Sequence, residues 1–389
     1  MKRLQAFVRG FLNFHAIVRS PLCLLFGTET TAAERVTQWE DTFFKEYVRA
    51  NRYKRYMGTD ENAIIQLKEN LTKTQGDAIT INLVGALDAS SGPNTGSSAL
   101  VGNEKALPND GHKITVGVVR DAVTVNGMEE QASPIDIRNA GKVALKDLSM
   151  RYMRNGINDA LHSINGVVYG SATETQKDAW LVDNSDRVLF GASKGNNAAD
   201  DHSAALAMIN NTDDKLTGNV VSLIKRMAQT ATTANGDGIR PHTYGEDQET
   251  FVMFAPAFAY RDLRNWMVAN GHWDTALERS KDNPLYSGPT SIEWDGVIVR
   301  EMPELPILTG VGADGINVAP CFLCGAQALG IAWAKRTKTT VKKEDDYEFS
   351  HGVGFMEIRG TNKIQWGQGG ANAIDWAVAT CYVAGVADA

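Results

Sequence analysis

The stretch S-P-I-D-I-R-N-A-G-K-V-A-L-K-D-L-S-M-R-Y-M-R-N-G-I-N-D-A-L-H-S-I-N-G, residues 133–166, carries the clearest ordering signal in the chain. Ser133 has the chemistry of an N-cap, Pro134 suits the first helical position, where a missing N–H costs nothing, and Asp136 places negative charge in the first turn. Leu145, Leu148, Tyr152, Met153, Ile157, Leu161 and Ile164 fall on one stripe, and Asn165-Gly166 ends the run. A helix over 134–165 would be about 45 Å long, more than a globular helix usually needs. The sequence therefore predicts a spine around which other elements are arranged.

Immediately upstream the apolar period changes from helical to alternating. Ile79, Ile81 and Leu83 alternate with Thr80 and Asn82, and Ile114, Val116 and Val118 alternate on the return, as in the two legs of a hairpin. Between them, 85–111 is crowded with Gly, Ser, Asn, Pro and Asp, a composition unable to bury enough apolar surface to support itself. Since an isolated two-stranded hairpin is marginal in water, this tip either moves freely or is supported by another chain.

Further upstream, Leu4, Phe7, Val8, Phe11, Leu12, His15 and Val18 give residues 2–19 the pattern of a short basic amphipathic helix. After a break at 20–31, Val36, Trp39, Phe43 and Tyr47 form a second stripe. Gly58 ends it, Asp60 offers a cap, and Ile64, Ile65, Leu67 and Leu71 are expected to continue in helical phase. Downstream of the spine, 166–214 is polar and takes no clear assignment. A helix follows at about 216–232 through Val220, Ile224 and Met227, then a buried strand at 251–254 leading through Pro256 into a helix carrying Phe258, Leu263, Trp266 and Met267. Asp295-Gly296 marks a tight hairpin within 292–300, and short strands close the chain with the apolar stretch 373–386. The expected class is α+β, divided into an arm (1–72), an extended hairpin loop (73–133), a spine-containing unit (134–240), a mixed unit (241–340) and returning C-terminal strands (341–389).

Bulk composition excludes several functions. With 389 residues, 43% hydrophobic and 22% charged, the chain has the make-up of a globular protein. Its net charge of −7 would repel nucleic acid as a whole, so sequence-specific DNA reading is not expected. Arg9 and Arg19 interrupt the N-terminal apolar residues, so neither a signal peptide nor a membrane span is read there.

Candidate chemistry is sparse. Gly310-Val311-Gly312-Ala313-Asp314-Gly315 matches a dinucleotide fingerprint literally, but Pro320 follows and no helical stripe begins, so a surface loop is expected. Cys321 and Cys324 have redox or half-zinc spacing without a second pair, Cys23 and Cys381 stand apart in sequence, and structural thiols are expected. The seven histidines are scattered, and Asp200-Asp201-His202 reads as a solvated turn rather than a metal site. Lys342-Lys343-Glu344-Asp345-Asp346 reads as a solvated loop. With no serine elbow or phosphate loop, neither an enzyme nor a cofactor is expected.

The order of arm, long hairpin, spine helix and mixed region resembles the major capsid protein family of tailed bacteriophages, of the podovirus type. Local stretches sharpen the likeness: Tyr56-Met57-Gly58, Asn62-Ala63-Ile64-Ile65, Leu71-Thr72-Lys73 and Gly76-Asp77-Ala78-Ile79-Thr80 near the start, Leu100-Val101-Gly102-Asn103-Glu104 and Leu107 in the loop tip, and Arg138 with Ala140 on the spine. Phe254-Ala255-Pro256, Tyr260-Arg261-Asp262-Leu263 and Trp294-Asp295-Gly296-Val297 continue it, so that the resemblance spans about 36–389. It implies an N-terminal arm, extended loop, peripheral domain and axial domain. It further implies hexamers and pentamers of identical copies forming an icosahedral head around double-stranded DNA, assembled in the host bacterial cytoplasm. Portal and scaffolding proteins are then expected partners, a decoration protein a further one, and membrane contact is not expected. Apolar residues of the projecting parts, Phe7, Phe11, Trp39 and Phe43 in the arm and Leu87, Leu100, Val101 and Leu107 in the loop tip, are the candidates for contact between subunits. Two rival readings are a phage tail or adhesin subunit, and a hydrolase using carboxylates such as Asp200 and Asp201.

Overall fold

The computed structural model describes residues 51–388 except 70–75, 91, 97–99, 134, 234–235, 245–247, 274–289, 343–349 and 371. In chain order the main elements begin with β1 (Met57–Gly58), β2 (Ile65–Lys68), β3 (Ala78–Val84), β4 (Asn109–Thr115), β5 (Gly117–Asn126), α1 (Gly127–Ala132) and α2 (Ile137–Leu161). There follow α3 (Glu174–Asp183), β6 (Val188–Phe190), α4 (His202–Ala207), α5 (Gly218–Thr230), β7 (His242–Tyr244), β8 (Gln248–Ala255) and α6 (Ala257–Ala269). The rest is strand: β9 (Ser291–Trp294), β10 (Val297–Glu301), β11 (Val318–Cys324), β12 (Leu329–Lys342), β13 (Ser350–Lys363) and β14 (Val378–Ala384).

Two sheets organise this α+β fold. One runs β9-β10-β8-β11-β14-β6, with β7 on the edge of β8. Its strands β11 and β14 are buried along their whole length, which is why both read as continuous apolar runs rather than alternating ones. The tight turn Asp295-Gly296, with φ of 51° and 70°, joins β9 to β10 as the residue types demand. Pro256 sits at the N-cap of α6, which with α5 covers the sheet through Val220, Ile224, Met227, Leu263 and Met267.

The second sheet runs β1-β2-β12-β13-β5, and the spine α2 lies on β13 and β5 through Leu145, Leu148, Val353 and Phe355. Sheet membership crosses the sequence units: β2, from the arm unit, pairs with β12, and β6, from the spine unit, pairs with β14 in the other sheet.

Several expectations change. The spine starts at Ile137, capped by Asp136, whose Oδ1 accepts from the Asn139 N–H at 2.8 Å. Pro134 forces Ser133 extended (φ −92°, ψ 133°), so Ser133 closes the separate helix α1 instead of opening the spine. At the other end Asn165 and Gly166, both left-handed, make a two-residue turn between Ile164 and Val167, and the helix has already ended at Leu161. Its 25 residues span about 37 Å, shorter than the about 45 Å expected.

Residues 64–68 are not helical. Ile65 and Gln66 lie in β2, parallel to β1 and β12, and Asp60 accepts from the Ala63 N–H in a turn instead of capping a helix. A short apolar run fits a buried strand as well as a helix, and here pairing with a strand more than half the chain away decides. Leu71, the stripes at 2–19 and 36–47, and most of the 342–346 charge run lie outside the described residues.

Candidate assembly interface

Strands β3 and β4 form the expected hairpin, with Ile79 opposite Ile114 and Ile81 opposite His112. Its base is clamped. Ile79 and Ile114 pack on Ala332 of β12, and a Cβ at Gly330 would come within 2.4 Å of the Ile114 side chain. The Lys113 N–H donates to Gln368 Oε1 at 2.6 Å, while Gln368 Nε2 returns a bond to the Lys113 carbonyl at 3.0 Å. The Gly367 N–H reaches Asp110 at 2.5 Å. His112 is fully buried, its Nδ1 accepts from the Gln365 N–H, and burial lowers its pKa to about 4.

Beyond the clamp, bonds within the loop tip give it local shape. Lys105 donates to the Asp88 and Gly92 carbonyls, and Glu104 accepts from the Gly102 N–H at 2.7 Å. The polar tip is therefore not shapeless, as its composition suggested, yet its apolar side chains stay in water: Leu87 is 51%, Leu100 67%, Val101 86% and Leu107 56% exposed. Four large apolar side chains left exposed within one loop make that loop the candidate contact surface.

A second open feature lies on α2. Its N-terminal part buries only Leu145, and between this part and β12–β13 runs a groove of about 720 Å³. Met153, Trp333, Val353 and Phe355 line its floor, and Lys54, Lys142, Lys146 and Arg336 stand among its lining residues.

Residues considered for chemistry are structural. Asp201 caps α4 by accepting from the Ala204 N–H at 2.9 Å, and Asp200 accepts from Asn197 Nδ2 at 2.7 Å. His202 is not solvated as expected; it is fully buried among Tyr169, Trp180, Phe190 and Tyr382, and burial lowers its pKa to about 4. Beside it, burial and then the Lys363 charge hold His162 well below its usual pKa, with Nε2 at 3.2 Å from the Tyr382 hydroxyl. Cys381 stands alone in sequence but faces Cys321 across the β11–β14 ladder. Both thiols are free and fully buried, and burial raises their pKa values, which leaves them unreactive. The 310–315 fingerprint is a loop with Gly310 and Asp314 left-handed, and it leads into β11, not a helix. Among the described residues no cluster of three or more metal-ligating side chains occurs, and no helix is long and apolar enough to cross a membrane.

A family model described as phage capsid protein matches residues 28–387. The chain belongs to the phage capsid protein family. This capsid protein is 26% identical over 385 residues to the major capsid protein of Pseudomonas phage KPP25, covering 90% of this chain and 95% of that relative. Among solved structures it is similar to the capsid asymmetric unit of cyanophage Pam1, with a TM-score of 0.80 and 26% identity over 94% of this chain and all (100%) of that one. The capsid of Ralstonia phage GP4 shares the fold at a TM-score of 0.73 and 17% identity, covering 94% of this chain and 99% of that one. Membership is in a structural family, so the hydrolase and tail-subunit readings give way to a shell protein.

Of the candidate contact residues, the four of the capsid protein's loop tip are exposed, while Phe7, Phe11, Trp39 and Phe43 lie outside the described residues. Sequence reasoning missed the clamp and the groove. Neither has a local signature, because Gln368 meets Lys113 and Phe355 meets Leu145 only once the chain has folded back.

Proposed function

We propose that this chain is the major capsid protein of a tailed phage, closing in many copies into hexamers and pentamers of an icosahedral head around double-stranded DNA. The observation that carries this reading is the loop tip: a hairpin fixed at its base holds Leu87, Leu100, Val101 and Leu107 in water, beyond the reach of the subunit's own core. A neighbouring copy covering them would gain apolar burial worth about 25 cal/mol per Å². Interfaces of about 1,600 Å², repeated several times per subunit, give a closed shell large collective stability from individually modest contacts.

In this reading 1–72 acts as the arm, 73–133 as the extended loop, 134–240 as the peripheral unit, 241–340 as the axial unit, and 341–389 as strands returning to both. Phe7, Phe11, Trp39 and Phe43 supply the arm's apolar contacts. The negative net charge suits a container that encloses DNA without gripping a sequence. Assembly takes place in the host bacterial cytoplasm, with portal and scaffolding proteins as partners and a decoration protein as a further one.

The test is deletion of 86–110 followed by electron microscopy and sedimentation. Folded subunits that form no isometric shells are expected. Shells of normal size and yield from the deletion variant would remove the loop from the mechanism.

A further inference from the structure

We propose that the groove between the N-terminal part of α2 and β12–β13 is the seat of residues 36–47 of the same chain, docked as an amphipathic helix. Four observations converge on this occupant.

The first is position. Asn51 and Lys54 are themselves lining residues of the groove, so the chain preceding Asn51 begins at its mouth and 36–47 is separated from it by residues 48–50 alone. Such a short tether gives the segment a high effective concentration at this site.

The second is length. The stripe from Val36 to Tyr47 would span about 17 Å as a helix, and the side of the groove formed by α2, from Lys142 to Met153, covers the same number of residues and hence about 17 Å. The third is surface: Val36, Trp39, Phe43 and Tyr47 form one apolar stripe, and the groove offers an apolar floor of matching kind. The spine, buried only at Leu145 in this part, leaves Met150 half-buried on the side that lines the groove, next to Met153, whose remaining surface packs on the core.

The fourth is charge. Glu40, Asp41 and Glu46 outnumber Lys45 on the segment, while Lys54, Lys142 and Lys146 stand among the groove's lining residues; its other charged lining residues, Arg336 and Glu357, are paired with Glu69 and Arg359. Acidic side chains over a basic rim favour this segment over the basic stretch 2–19.

This docking holds for the unassembled subunit and does not rest on the shell reading. It narrows the role of the arm: Trp39 and Phe43 would serve their own subunit, leaving Phe7 and Phe11, farther out, to reach a neighbour.

The experiment uses the full chain carrying Cys23→Ser, with Phe43→Cys and Met150→Cys introduced together and oxidised by copper-phenanthroline. A disulfide within one chain is expected, read as a fast-migrating monomer on non-reducing gels and confirmed by peptide mass. Pairing Met150→Cys with Asp41→Cys, on the opposite face, should give at least tenfold less product. Dimer bands alone would assign the groove to a neighbouring copy and overturn the proposal, as would absence of any cross-link. A second measurement does not depend on disulfide geometry: maleimide labelling of Met150→Cys should speed up at least tenfold when Trp39→Asp and Phe43→Asp are added in the full chain. Equal labelling rates would also overturn it.

Discussion

The seven-stranded sheet and the β3–β4 hairpin follow opposite rules within one chain. In the sheet, Val252, Phe254, Phe322, Leu323 and Val383 are fully buried and every strand finds partners on the same subunit. In the hairpin, burial runs out to Leu83 and His112, and Val84, Leu87, Leu100, Val101 and Leu107 beyond them face water. The first region is complete as folded. The second leaves apolar surface in water, and under the reading proposed above the contrast separates what folds the subunit from what assembles it.

If that separation holds, substitutions in the two regions should differ in kind. Phe322→Ala, in the middle of β11, should lose about 4 kcal/mol through transfer and cavity effects, measured by denaturant unfolding of the unassembled subunit. A loss below about 1 kcal/mol would mean that the sheet is not the stabilising core. Next in size is the buried pair Lys363–Asp375, 2.7 Å apart with both side chains 1% exposed, where Asp375 also accepts from Trp180 Nε1 and Gln365 Nε2. Asp375→Asn should cost about 3 kcal/mol by leaving a buried charge uncompensated. Changing both partners together (Lys363→Met with Asp375→Leu) should recover only part of it, because Trp180 Nε1 and Gln365 Nε2 lose their acceptor and the Ser163 carbonyl its donor.

A smaller effect comes from acid. His112 and His202 titrate near 4 when folded and near 6.5 when unfolded, and burial depresses His162 as well. Between these values the unfolded chain binds more protons, so stability is full above pH 6.5 and is lost as pH falls toward 4. The thermal midpoint should drop by several degrees over that interval, with a shallower slope in His202→Phe; parallel slopes would remove His202 from the account. Smallest for the subunit is Leu100→Asp with Val101→Asp, expected to change unfolding free energy by less than about 0.5 kcal/mol. The same variant should assemble poorly by light scattering, and normal assembly would break the contrast drawn above.

Local chemistry made much of this legible in the sequence. The α5 and α6 helices, the 295–296 turn and the hairpin legs all declare themselves through spacing and turn residues within a few positions. The 64–68 strand carries a helical period in sequence because its partner, β12, begins at Leu329, and no local period reports a pairing that distant. The start of the spine was displaced by three residues because Ser133 and Asp136 are both competent caps, and the restraint that Pro134 puts on Ser133 chose between them. The exposure of Leu87, Leu100, Val101 and Leu107 could be read from apolar residues stranded in a polar stretch. The groove could not, since its two walls come from opposite halves of the chain.

That stitching of β2 to β12 and of β6 to β14 has a kinetic consequence. Both pairings are parallel and close loops far longer than any hairpin, so most of the chain's freedom is lost before their contacts form. Folding should therefore be slow for the chain's size and should proceed through intermediates with unpaired strand edges, which are prone to aggregate when crowded. Neither sheet can be produced by itself from a contiguous fragment, and a polypeptide cut between β6 and β11 should recover its structure only when the two pieces meet again.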